Sequence, residues 1–206
     1  MLYSSREMKF GNIKTSETEL RDIVKAWAAI SVAFAIALSN SFSGFYASFI
    51  IASLTVGIGF LLHEMGHKLV AQKYGCIAEF RSFDNMLLLA IAMSFLGVVF
   101  AAPGAVMISG RVNNKANGRI SAAGPIVNLV LAFVFLGLFY LGLPHLLVDI
   151  AFYGFVINSW LALFNMIPFW LFDGYKILKW NKFVYGGIVV IAVVFMFIQN
   201  YVHLPK

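Results

Sequence analysis

The chain alternates long apolar stretches with short basic blocks, and that pattern sets the first expectations. From Ala26 to Leu62 no residue carries a formal charge, and the stretch is interrupted by Ser39-Asn40-Ser41-Phe42-Ser43-Gly44, a run of turn formers. Two spans meeting in a tight hairpin are expected, the first from about Ile23 to Leu38, the second from near Phe45 to His63. Met86 to Gly110 is again apolar but is flanked by Lys68, Lys73 and Arg81 on one side and by Arg111, Lys115 and Arg119 on the other. A single crossing would put one basic cluster outside, so the segment is expected to be re-entrant, bent at Gly97 or at Pro103-Gly104. The alternative is a full span followed by a returning strand at about Ala102 to Ser109. A helix capped by Ser121, with Pro125 in its first turn, is expected to run to about Leu141. The loop Gly142 to Asp149 has no Lys or Arg and is expected outside. Spans from about Ile150 to Met166 and from Val184 to Tyr201 complete the pattern.

The fold class expected is an all-α polytopic membrane protein with about five to six transmembrane helices and a small membrane-embedded re-entrant or β element. Residues 1–22 form a polar cytoplasmic N-terminal segment and 23–206 the integral-membrane domain. A secretory signal with its apolar region at Ala26 to Leu38 is disfavoured by the long, acid-rich stretch before it.

Composition agrees with this pattern. Of the 206 residues 61% are hydrophobic and only 12% charged, against about 25% charged in an ordinary soluble domain. The net charge of +6 is distributed in blocks between apolar segments, as in loops facing an anionic leaflet, so a lipid bilayer and not nucleic acid is the expected partner. Cys76 stands alone, with no disulfide or CxxC pair available to it.

The candidate chemistry lies in Leu62-His63-Glu64-Met65-Gly66-His67, an H-E-x-x-H. Histidines four apart share a helix face and can direct imidazole nitrogens at one zinc ion, while Glu64, about 100° round the helix, can take a proton from an attacking water. Ionisable groups at membrane depth cost about 2.5 kcal/mol or more unless paired, so three within five residues require a common partner. Catalytic zinc usually has three protein ligands. An extended H-E-x-x-H motif would have His at position 73, which is Lys73. Glu79 and Asp84 fall in a basic loop and are expected to be solvated, and Asp149 is expected at the opposite face of the bilayer. Asp173 has the depth of the histidines, with Pro168 ahead of it and Gly174 behind to let the chain leave helical geometry and approach closely.

These residues carry a resemblance. The H-E-x-x-H at His63 to His67, the Gly124-Pro125-Ile126-Val127-Asn128 element and the run from Asn165 through Pro168 to Asp173-Gly174 together resemble the site-2 proteases, integral-membrane zinc metalloproteases, over about half of the chain. The resemblance implies one zinc ion per chain held by His63, His67 and Asp173, with Glu64 as catalytic base and Asn128 and Asn165 near the site as supports for substrate or transition state. It also implies intramembrane hydrolysis of transmembrane protein substrates, typically the anchors of regulatory proteins, with the protein in the cell membrane and its N-terminus and active site toward the cytoplasm. Leu171 and Tyr175 depart from the family's usual Pro-Leu-Asp-Gly-Gly, and the family has a membrane-embedded sheet where Met86 to Gly110 lies. A protease of the kind that trims prenylated tails would take a later Glu as third ligand, and none follows Glu79. A non-catalytic metal carrier or channel built on the histidine pair is the alternative from another class, and it leaves Glu64 without a task.

Overall fold

The structure, a computed structural model, describes residues 7–11, 13–39, 44–99 and 103–204. It is mostly helical, with two small two-stranded sheets.

Within the polar N-terminal segment, residues 7–11 and 13–16 are structured. Strands β1 (Glu7–Phe10) and β2 (Ile13–Ser16) form an antiparallel hairpin that leads into α1 (Glu17–Leu38). Ser16 caps α1, its hydroxyl accepting from the Glu19 N–H at 3.1 Å, as an S-x-x-E sequence favours. The buried stripe of α1 runs through Glu19, Asp22, Ala26, Ile30 and Ala33, so the helical spacing that buries its apolar half also buries two acids near its start.

A continuous 29-residue helix, Phe45–Lys73, follows. It comprises α2 (Phe45–Ala52), one π-helical stretch (Ser53–Gly57) and α3 (Ile58–Lys73). The indole of Trp27 donates to the Ser53 carbonyl at 3.1 Å, a bond made where the π turn loosens the helical ladder. The expected hairpin at Ser39 to Gly44 lies largely outside the described residues. The helix does not stop at His63: it carries the whole H-E-x-x-H and six further residues, to Lys73.

After α3 come β3 (Ile77–Ser82), α4 (Asp84–Ser94) and β4 (Gly104–Ser109), with β3 and β4 antiparallel and Phe80 opposite Val106. Helix α4 has 11 residues, about 16 Å at 1.5 Å per residue, roughly half of a ~30 Å hydrocarbon core. The strand expected only in the alternative reading is therefore present, behind a helix too short to cross. Glu79, expected in solvent, is buried in β3, where it pairs with Arg81 at 2.6 Å and accepts from the Ser16 hydroxyl. Its burial depends on a partner far back in the chain. Asp84 is largely exposed and pairs with Lys25 at 2.5 Å.

Helix α5 (Asn114–Phe139) begins before the expected Ser121 cap. Asn113 caps it, accepting from Ala116 N–H at 2.8 Å, and Pro125 lies inside the helix. The apolar pattern begins later than the helix because the first two turns are polar, with Asn114, Lys115, Asn117 and Arg119. Helix α6 (His145–Asn165) likewise starts early, directly after Pro144, so the loop expected to reach Asp149 is shorter. Helices α7 (Asp173–Trp180) and α8 (Lys182–Ile198) and a 3₁₀ turn (Gln199–Tyr201) close the chain.

Among the described residues four helices are long and apolar enough to cross a membrane: Phe45–Lys73, Asn114–Phe139, His145–Asn165 and Lys182–Tyr201. Helix α5 is central, packing against α3, α6, α7 and α8. Helix α8 is peripheral and buries only Ile188 and Ala192.

Candidate metal centre

Helix α3 carries His63, Glu64 and His67 on buried positions, and Asp173 enters from the first turn of α7. Asp173 reaches them because the chain leaves α6 at Met166, runs through an irregular segment containing Pro168, and returns with Gly174 packed directly on the Met166 backbone. A side chain at Gly174 would collide with the Met166 carbonyl, which explains the glycine behind the acid.

The donor atoms converge. His63 Nε2 and His67 Nε2 are 3.0 Å apart, and Asp173 Oδ2 lies 3.4 Å from the first and 3.1 Å from the second. Ligands bound at 2.0–2.1 Å in a tetrahedron stand about 3.3 Å from one another, so two imidazole nitrogens and a carboxylate oxygen at these separations fit a zinc ion. The space is kept open by Gly124, where a Cβ would come within 2.5 Å of both Nε2 atoms.

Hydrogen bonds set the tautomers. His67 Nδ1–H donates to the Ile120 carbonyl at 2.8 Å, which can only accept. His63 Nδ1–H donates to Asn128 Oδ1 at 2.6 Å, and the Asn128 amide group donates in turn to Gly59 O and to Asn158 Oδ1. Both Nε2 atoms therefore carry lone pairs directed at the shared space, as metal-binding histidines require. The buried Asp173 carboxylate turns one oxygen, Oδ2, toward both imidazoles. Its other oxygen lies 3.8 Å from the Lys176 ammonium. Glu64 Oε2 accepts from Val106 N–H of β4 at 3.0 Å, so the acid of the motif touches the strand.

No family model matches the chain, and no solved structure matches it. Two curated proteins of Methanocaldococcus jannaschii are similar. One, named "Putative zinc metalloprotease MJ0611", is 45% identical over 141 residues, covering 67% of this chain and 74% of the relative. The chain belongs to the zinc metalloproteases. The other relative, "Zinc metalloprotease MJ0392", is 29% identical over 129 residues, covering 59% of this chain and 31% of its own length.

In this metalloprotease His63, His67 and Asp173 form the group of side chains, among the described residues, that could hold a metal ion. Glu79 and Asp84 are engaged by Arg81 and Lys25 and do not join them. Of the two asparagines expected nearby, Asn128 contacts His63, whereas the half-buried Asn165 donates to Leu161 O within its own helix. Sequence reasoning passed over Asn158, fully buried and bonded to Asn128, and the Ile120 carbonyl. A signal for Asn158 existed: an asparagine in an apolar helix needs a polar partner, and Asn128 is another such residue. Nothing in the residue types singles out Ile120, which acts through its backbone.

Proposed function

We propose that this metalloprotease works inside the membrane, in the manner of the site-2 proteases, hydrolysing peptide bonds in or beside the transmembrane segments of anchored protein substrates. The observation that carries the reading is that the H-E-x-x-H is part of Phe45–Lys73, itself one of the four candidate spans, with His63, Glu64, His67 and Asp173 all under 10% exposed. An enzyme acting on soluble chains has no need to bury this chemistry within such a helix.

One zinc ion held by His63, His67 and Asp173 would supply Lewis acidity at the scissile carbonyl and lower the pKa of water. Glu64 accepts a proton from the attacking water and later delivers it to the leaving amine. Asn128 is a positioning residue: its oxygen holds His63 and both hydrogens of its amide are engaged by Gly59 and Asn158, leaving no donor for an oxyanion. Support for the substrate or transition state falls to Asn165, whose amide has a second hydrogen.

A membrane-spanning helix must unwind before attack, and an added strand would hold it open. Phe80 N–H points away from β4 to Glu19, so Phe80 and Val106 are a pair without mutual hydrogen bonds, and the backbone groups of Gly104, Val106 and Ile108 turn outward along β4. That edge suits an extended substrate. The apolar Ile23–Leu38 part of α1 serves as a fifth span. Lys73, Arg81, Arg111, Lys115, Arg119, Lys176, Lys179 and Lys182 flank the site end of the bundle and the α5–α6 turn has no Lys or Arg, which supports a cell-membrane protein with its N-terminus and active site toward the cytoplasm.

The test is cleavage of a model single-span substrate in lipid vesicles, with zinc measured in parallel. Wild-type protein should cleave and a chelator should stop it; Glu64→Gln should retain zinc with cleavage reduced at least about 10²-fold, the lower end of what acid–base catalysis contributes. Wild-type rates from Glu64→Gln would refute the assignment.

A further inference from the structure

The β3–β4 ribbon is gripped by groups that the chemistry above does not use. Glu19 is fully buried and Lys68 is 2% exposed, and their charged atoms lie 2.6 Å apart. Every oxygen of the acid is engaged. Glu19 Oε2 takes Lys68 and the Thr15 hydroxyl, and Oε1 accepts Phe80 N–H at 2.9 Å. The next outward N–H of β3, from Ser82, points to Asp22 Oδ2 at 3.4 Å.

Two registers coincide here. On α3, Glu64 and Lys68 are four residues apart and so share a face. On the ribbon, Phe80 and Val106 are directly opposed. Glu64 holds Val106 N–H from the β4 side, and Lys68 holds Phe80 N–H, through Glu19, from the β3 side. One face of the helix that bears the H-E-x-x-H thus reaches both outer edges of a single cross-strand pair.

We propose that Glu19 and Lys68 are a positioning pair that fixes the β4 edge relative to Glu64 and the metal ligands, and so selects which peptide bond of an extended substrate is cut. The inference rests on the intramembrane reading above. A buried ion pair is a poor device for stability, since well-packed apolar residues of the same size do as well or better, whereas fixing register is its best-attested use. The pair also closes the β3 edge, leaving β4 as the edge a substrate strand can join. It further anchors the ribbon by a route that does not involve Glu64, so the strand keeps its place when Glu64 leaves Val106 N–H to handle protons.

The test uses two double variants of the full chain, chosen because neither leaves a lone buried charge. Glu19→Gln with Lys68→Met keeps an acceptor for Phe80 N–H but cuts the link to α3; Glu19→Leu with Lys68→Met removes both. Each should hold one zinc per chain, with KM for a single-span substrate raised about tenfold and with cleavage, mapped by mass spectrometry, spread to bonds two residues either side of the wild-type position, the step by which strand register slips without turning side chains over. Hydrogen exchange at the Phe80 and Val106 amides should quicken while exchange in α5 is unchanged. A folded variant that cuts the wild-type bond alone with wild-type KM overturns the proposal. So does loss of zinc in step with activity, which would make the pair a support of the metal site instead. If the wild-type protein cleaves nothing, the intramembrane reading fails, and the exchange measurement still decides whether the clamp exists.

Discussion

At Gly124 two ordinary preferences oppose each other. The residue lies within α5, where alanine is favoured over glycine by about 1 kcal/mol, yet a Cβ there would stand 2.5 Å from both His63 Nε2 and His67 Nε2. Gly124→Ala should push the two buried rings aside, lowering the stability of the metal-free protein by about 1–3 kcal/mol while the zinc content of purified protein falls to a small fraction of one per chain. Elemental analysis beside a thermal melt checks both halves, and a full complement of zinc would show that the donors converge elsewhere. At this scale the legible residues were those whose role is local. His63, Glu64 and His67 are visible because spacing four on a helix is itself the geometry. Asp173 could be singled out because few acids remained and one of them sat between a proline and a glycine. Glu79 was misjudged for the opposite reason: its burial is created by Ser16 and Arg81, and the type and neighbours of a glutamate carry no record of a partner 63 residues away.

Among the elements, the entry into α7 controls the third donor. Gly174 packs on the backbone of Met166, and the Tyr185 hydroxyl donates to the same Met166 carbonyl at 3.0 Å, so this turn is fixed from α8 as well. Because the obstruction is backbone held in place, Gly174→Ala should cost about 1–3 kcal/mol as overpacking and displace the first turn of α7, carrying Asp173 away from the histidines. Zinc affinity, measured by competition with a chromogenic chelator, should drop together with the melting temperature. Gly187→Ala is the matched control, since a Cβ at that position in α8 meets nothing within 4 Å: zinc affinity should be unchanged and the melting temperature equal or higher. An unaltered zinc affinity in Gly174→Ala would mean that Asp173 does not depend on this close approach. The helices themselves were legible where apolar runs coincide with them, as in α6 and α8. The start of α5 was not, because polar turns that extend past the apolar layer look like loops; α6 was started late because Asp149 interrupts its apolar run; and the hairpin before α1 was missed because four-residue strands leave almost no periodicity to detect.

In the whole molecule, a membrane-spanning bundle follows from the hydropathy of the chain, but the path of Met86 to Gly110 does not, since an unbroken apolar run looks the same whether it crosses or folds back. The structure breaks it into α4, a turn in which Gly97 adopts φ +77, and β4 paired to β3. Helix α4 can reach only about halfway through a bilayer, and the pairing of β4 with β3 returns the chain to the level at which it left. Asp84 and Lys115 should therefore lie on one side of the membrane. Helix α5, with 26 residues and a length of about 39 Å, is long and apolar enough to carry the chain across, so Tyr140 should lie on the other. These three positions are exposed and Cys76 is buried, which keeps background reaction low. In sealed vesicles of known orientation, a membrane-impermeant maleimide should label Asp84→Cys and Lys115→Cys from the same face and Tyr140→Cys from the opposite one. Labelling of Asp84→Cys and Lys115→Cys from opposite faces would require the segment between them to cross the bilayer, and the β4 edge could not then lie beside Glu64.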